Sequence, residues 1–154
     1  GYENPDVLRI LDGVFDIYMP DFKFWDPTYA EAYCQAPNYP ETAREAIREM
    51  HRQVGDLVLD DEGVAVHGLL LRHLVMPHDV AGTQEVMAFV SRGISPATYV
   101  NVMDQYRPCG EAGEDRLIHR RLSAGEYRKA RKAALEAGIT RLDSREHPRI
   151  LFSL

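Results

Sequence analysis

Val14-Phe15-Asp16-Ile17-Tyr18-Met19-Pro20-Asp21-Phe22-Lys23 is the stretch whose reading decides the fold. An apolar run reaches a proline, and an acid and a base two residues apart follow at once. If the backbone stays extended, period-two alternation sends Asp21 and Lys23 to the same side. In parallel α/β folds the C-terminal ends of strands are where ligands and chemistry gather.

Working outward, Asn4-Pro5 reads as an N-cap and first helical position, with Gly13 as the stop. The strand Val14 to Met19 follows. Asp26-Pro27 opens a second helix with Thr28 to Cys34 in it. Pro37 and Pro40 precede a longer helix with an apolar face of Ala43, Ala46, Ile47, Met50 and Val54, ended by Gly55. Leu57 to Leu59, the turn Asp60 to Gly63, and Val64 to Val66 read as a small hairpin.

Gly68 to Pro77 is an apolar strand interrupted by Arg72 and His73, and Thr83 to Ser91 is helical. Tyr99 to Met103 is a third buried strand. The stretch from Gln105 to Leu122 is polar and Gly-bearing, so it reads as a loop. Ser123-Ala124-Gly125-Glu126 is a capping box for a helix through Ala137, and Ile139 to Leu142 adds a short last strand. Strands alternating with helices, and apolar almost throughout, predict an α/β fold whose parallel sheet is covered on both faces. Three or four strands cannot close a barrel of eight. Without repeats, linkers or low-complexity tracts, residues 1–154 form a single α/β region.

The 154 residues are 45% hydrophobic, enough for one real core, and carry a net charge of −6, which argues against a general nucleic-acid or membrane surface. No apolar run approaches the ~20 residues that span a bilayer. The start Gly1-Tyr2-Glu3 has no basic or apolar leader, and two cysteines make no disulfide framework, so a cytoplasmic setting is expected. A start at Gly rather than Met is taken as a sign of a longer parent chain.

Polar residues gather at three strand ends: Asp21 and Lys23, then His78 and Asp79, then Gln105 and Arg107. Arg72 lies within the second strand, where an unpartnered charge is costly. If the strands are parallel neighbours these ends meet on one rim, suited to a ligand with carboxylate, amine and hydroxyl groups. The plainer readings are a solvated loop pair for Asp21 and Lys23, and an internal acid partner for Arg72. The six histidines match no strong metal motif, so no metal site within the chain is expected. Cys34 and Cys109 are expected on separate elements, with Cys109 a bystander thiol beside Arg107. Trp25, Tyr39 and Tyr99 read as packing residues.

Three stretches bear a family resemblance: Gly1-Tyr2-Glu3, Leu11 to Lys23, and Leu70-Leu71-Arg72-His73-Leu74-Val75-Met76-Pro77. They resemble the radical S-adenosylmethionine activating enzymes, closest to the group described as homologous to pyruvate formate-lyase activating enzyme. Asn101 to Gly110 is more similar to that group than to the formate-lyase activators proper, and the resemblance runs from Gly1 to about Asp143. It implies the C-terminal half of a partial (β/α)6 barrel with an open edge. In that family CxxxCxxC holds a [4Fe–4S] cluster whose free iron binds S-adenosylmethionine. Reductive cleavage gives a 5′-deoxyadenosyl radical that abstracts hydrogen from a glycine of a partner protein.

The resemblance places Asp21 and Lys23 by the cofactor and Arg72 in the barrel interior nearby. The cluster motif and the early Gly-rich cofactor strand do not occur in this chain, and Arg107 follows Tyr106 where the activators proper carry His. The implied whole is an iron–sulfur oxidoreductase. Its partner would be a glycyl-radical enzyme or another protein substrate, and neither nucleic acid nor membrane is expected.

The isolated chain is expected to be inactive and to bind neither iron nor S-adenosylmethionine tightly. It is also expected to self-associate through the edge of the Val14 to Met19 strand, unless the tail from Ser144 to Leu154 covers it. Two other readings stand beside this one. One is a non-catalytic α/β module that binds a partner or an anion at its rim. The other is an unrelated barrel enzyme using Asp21 and Lys23 as acid and base.

Overall fold

A computed structural model describes residues 1–143. Helix α1 (Pro5–Ile10) begins where Asn4 accepts the Asp6 amide and Pro5 brings no N–H to be left unpaired. It ends earlier than Gly13 suggests, with Leu11 as its cap. Gly13 instead takes φ +80 in the turn closed by Val14 N–H on the Leu11 carbonyl. Helices α2 (Pro27–Cys34), α3 (Tyr39–Val54), α4 (Thr83–Gly93) and α5 (Ala124–Glu136) follow in order. Asp26 caps α2 through the Thr28 amide, and Ser123 and Glu126 form the capping box of α5.

The strands are β1 (Ile17–Tyr18), β2 (Val58–Leu59), β3 (Ala65–Leu74), β4 (Tyr99–Met103) and β5 (Arg141–Leu142). Strands β1, β3, β4 and β5 lie side by side in chain order, each parallel to its neighbour. Strand β2 folds back antiparallel onto the start of β3. The expected hairpin is therefore present, but its second arm is not a separate strand. It runs on through Gly68 into β3, because Gly68 sits at φ +108 directly against the Asp56 carbonyl and Leu57, where a Cβ would lie 2.4 Å from Asp56 O.

The expected strand from Val14 to Met19 shortens to Ile17–Tyr18. Pro20 has no N–H for a ladder, yet pairing resumes beyond it in the same register. Arg72 N–H donates to the Pro20 carbonyl, Phe22 N–H donates to the Arg72 carbonyl, and Asp21 bridges to Arg72. Among the described residues β1 is an end strand of the sheet, with Val14, Phe15 and Met19 exposed beside it.

Strands laid down in sequential order by crossovers of one hand place their helices on one face of the sheet. Tyr18, Leu69, Leu71, His73, Val100 and Val102 are buried beneath those helices. The Tyr18 hydroxyl reaches Gln53 of α3 at 2.7 Å, and the His73 ring reaches the Thr83 hydroxyl of α4 at 2.9 Å. Alternate residues Ile17, Met19, Leu70, Arg72, Leu74, Tyr99 and Asn101 keep access to solvent. This corrects the expectation of a sheet covered on both faces. Leucine and methionine at the open-face positions made the strands read as wholly buried, whereas that face borders hollows.

The long segment after β4 is not a plain loop. It contains a short 3₁₀ turn (Gly110–Gly113), and Asp115 accepts the Leu117 and Ile118 amides, which tucks Ile118 into the core. The tail from Ser144 to Leu154, named above as a cover for the β1 edge, lies outside the described residues.

Candidate functional site

Past Pro20 the chain stays extended, and each side chain takes the side that alternation dictates. Phe22 is fully buried among the rings of Trp25, Tyr39 and Phe89. Its neighbours Asp21 and Lys23 point the opposite way. Arg72, brought opposite Asp21 by the β1–β3 register, donates from Nε to Asp21 Oδ1 at 2.7 Å. Lys23 Nζ stands 3.3 Å from Asp21 Oδ2. One carboxylate is thus held between two cations, all partly exposed, at the C-terminal ends of two paired parallel strands.

The three side chains line a common hollow of about 400 Å³, together with Met19, Pro20, Tyr39 and the Gly1 to Glu3 segment. Gly1 lies so close to the Asp21 carbonyl that a Cβ there would sit 1.9 Å from it. Arg72 thus has the acid partner of its plainer reading, and it lies on the open face of the sheet.

Tyr39, read from sequence as packing alone, also fixes the loop that carries the triad. Its hydroxyl accepts the Lys23 amide at 2.9 Å and donates to the Asp21 carbonyl at 3.2 Å. Burial pushes the Tyr39 phenol well above its ordinary value, so it remains a donor across the physiological range. No local signal marks this role, because it depends on α3 meeting a segment sixteen residues away.

Lys23 also borders a second, larger cavity of about 840 Å³. Its walls include Phe24 and Tyr33 from the α2 side, Leu74 at the end of β3 and Met76 just past it, and Tyr106 and Ile118 beyond β4. Gln105 and Arg107 reach it, as the rim reading expects. Cys34, at the end of α2, and Cys109, in the segment after β4, lie on separate elements as expected, and both line this cavity. Here the Tyr33 hydroxyl donates to Asp115, and burial first, then the Asp115 charge, pushes the phenol up to about 12.

His78 and Asp79 do not join this rim. Both sit at φ +57, a left-handed turn that swings them toward the helices. There Asp79 accepts the Thr83 amide at the start of α4. The His78 amide donates to Glu126 of α5, and its ring contacts Arg120. Ties to Arg120, His78 N–H and Ser123 hold the Glu126 carboxyl far below the usual carboxylate range. His51 bonds Asp56, which also accepts the Ser95 hydroxyl. The serine faces the acid rather than the histidine, so this network fastens loops and offers no activated nucleophile.

Among the described residues no group of three or more His, Cys, Asp or Glu side chains is placed to hold a metal ion, and no helix is long and apolar enough to cross a membrane. Compared with known proteins, the chain matches no family model and no solved structure. It is 35% identical over 134 residues to an uncharacterized protein of Methanocaldococcus jannaschii, a match that covers 86% of this chain. The match covers 35% of that protein, so the chain spans about a third of the length of the relative it resembles.

Proposed function

We propose that this chain is the C-terminal part of a radical S-adenosylmethionine enzyme similar to the pyruvate formate-lyase activating enzymes. In this reading its parallel strands form an arc of a partial (β/α)6 barrel. The observation that carries the reading is the Asp21 carboxylate held between Lys23 and Arg72, facing the 400 Å³ hollow at the strand ends. The resemblance of the stretches around Asp21 and Arg72 adds to it.

The donor set suits one end of the cofactor. An α-amino acid group carries an ammonium and a carboxylate side by side, and the hollow offers an acid flanked by two cations. Asp21 takes the ammonium, while Arg72 and Lys23 take the carboxylate. Arg72 is the better anchor, because its planar guanidinium is already fixed by Asp21. Tyr39 holds the Asp21–Lys23 backbone in place. When bound, S-adenosylmethionine supplies the hydrogen-abstracting radical. Two cysteines are one short of the three thiolates that the family's cluster needs, so in this reading the cluster belongs to another part of the gene product.

The whole gene product, reconstituted anaerobically with iron and sulfide and reduced with dithionite, is expected to convert S-adenosylmethionine to 5′-deoxyadenosine and methionine. Chromatography of the quenched reaction measures both. A reconstituted product with full cluster absorbance and no 5′-deoxyadenosine would rule the reading out. It would favour a non-catalytic module that binds an anion at the same hollow.

A further inference from the structure

The 840 Å³ cavity beside the triad has a charge inventory that can be closed residue by residue. Four charged side chains line it: Lys23, Arg107, Glu111 and Asp115. Lys23 is paired with Asp21. Asp115 is spent on the Tyr33 hydroxyl and the Leu117 and Ile118 amides. The Tyr106 hydroxyl is committed to the Ile118 carbonyl. The side chains of Arg107 and Glu111, both exposed, have no hydrogen-bond or ion-pair partner among the described residues. One cation and one anion are thus left unspent above walls formed by Phe24, Tyr33, Leu74, Met76 and Ile118.

We infer that this cavity binds a small amphipathic zwitterion, an apolar or aromatic amino acid or an amine–carboxylate of similar size, as the substrate. Arg107 takes its carboxylate, Glu111 its ammonium, and the apolar walls its body. A volume of about 840 Å³ lies within the range of small-molecule sites, which are mostly apolar with a few placed polar groups. Lys23 borders both this cavity and the triad hollow, so a molecule here lies next to whatever the hollow holds. Its standing as substrate rests on the reading of that hollow as the cofactor side, and the binding itself does not.

The chain's only two cysteines, Cys34 and Cys109, both line this cavity and are exposed, so their alkylation by iodoacetamide reports its occupancy. The probes are L-phenylalanine, 3-phenylpropanoate and 2-phenylethylamine, the last two each lacking one charge. L-phenylalanine is expected to slow alkylation of both thiols, read by mass spectrometry, at about tenfold lower concentration than either analogue, the size of one charge-assisted hydrogen bond. Arg107→Ala and Arg107→Gln should remove its advantage over 2-phenylethylamine only. Glu111→Gln should remove its advantage over 3-phenylpropanoate only.

Equal protection by all three probes, no protection by any, or an Arg107 variant that keeps the full preference would overturn the inference. Protection by a Gly-rich peptide and not by L-phenylalanine would overturn it in favour of a polypeptide substrate. The assay contains neither S-adenosylmethionine nor iron. Its failure alongside intact 5′-deoxyadenosine formation rejects only this inference, and the converse pattern rejects only the radical reading.

Discussion

Phe22→Ala is expected to lower unfolding stability by about 3–5 kcal/mol, the usual range for emptying a fully buried phenylalanine site. Phe22 has no solvent exposure. It meets Phe89 edge-on with centroids 5.9 Å apart, and it contacts Trp25 and Tyr39 at 6.1 and 6.3 Å. These rings come from the β1 loop, α3 and α4, so the cluster joins three segments that have no covalent reason to stay together. Its carbonyl also accepts from the His73 ring at 2.7 Å. Urea denaturation followed by far-ultraviolet circular dichroism measures the effect. A loss under about 1 kcal/mol would show that the cluster can collapse into the vacated space and does not tie the triad loop down.

Acid is expected to destabilise the protein through His73. The imidazole is wholly buried, and burial pushes it down to about 4, outweighing the hydrogen bond to the Phe22 carbonyl, which acts in the opposite direction. With Nδ1–H donating to Phe22 and Nε2 accepting from Thr83, the neutral ring is fully satisfied. The unfolded chain takes up this proton near 6.5 and the folded one only near 4, so between those values the unfolded state binds more protons.

The His73 contribution is therefore complete above pH 6.5 and is lost progressively as pH falls to about 4, by an amount on the order of 3 kcal/mol. His73→Gln, which cannot titrate, should be less stable at neutral pH and fall less steeply across this window. Carboxylates such as Glu49, held at about 2 by Arg52 and Gln53, titrate in both proteins, and the comparison cancels them. Parallel pH profiles for the two proteins would contradict the burial argument.

Much of this architecture is legible in the residues. Asn4-Pro5, Asp26-Pro27 and Ser123 to Glu126 mark helix starts because their side chains satisfy amides that lie within a few residues. The alternation around Phe22 also follows from local geometry, and it puts Asp21 and Lys23 on the side opposite the core. What sequence could not supply is distance along the chain. The Arg72–Asp21 bond spans 51 residues and exists only in one strand register, so neighbouring residues carry no trace of it. The meeting of Cys34 and Cys109 in one cavity and the hold of Tyr39 on the Lys23 amide are of the same kind. The single covered face was misread for a different reason. Ile17, Met19, Leu70 and Leu74 are apolar at open-face positions, so periodicity alone could not separate a lined hollow from a second packed layer.

The triad reading is tested most directly by equilibrium titration of the reconstituted whole gene product with S-adenosylmethionine, wild type against Arg72→Ala. Removing the guanidinium takes away the fixed anchor for the cofactor carboxylate. It also leaves Asp21 with Lys23 alone, and Arg72 is exposed enough for the fold to survive its loss. Affinity is expected to fall by about tenfold or more, the equivalent of at least one charge-assisted hydrogen bond. Cluster content and the urea midpoint should stay at wild-type levels. Unchanged affinity in a correctly folded, cluster-loaded Arg72→Ala protein would contradict the assignment of this hollow to the cofactor.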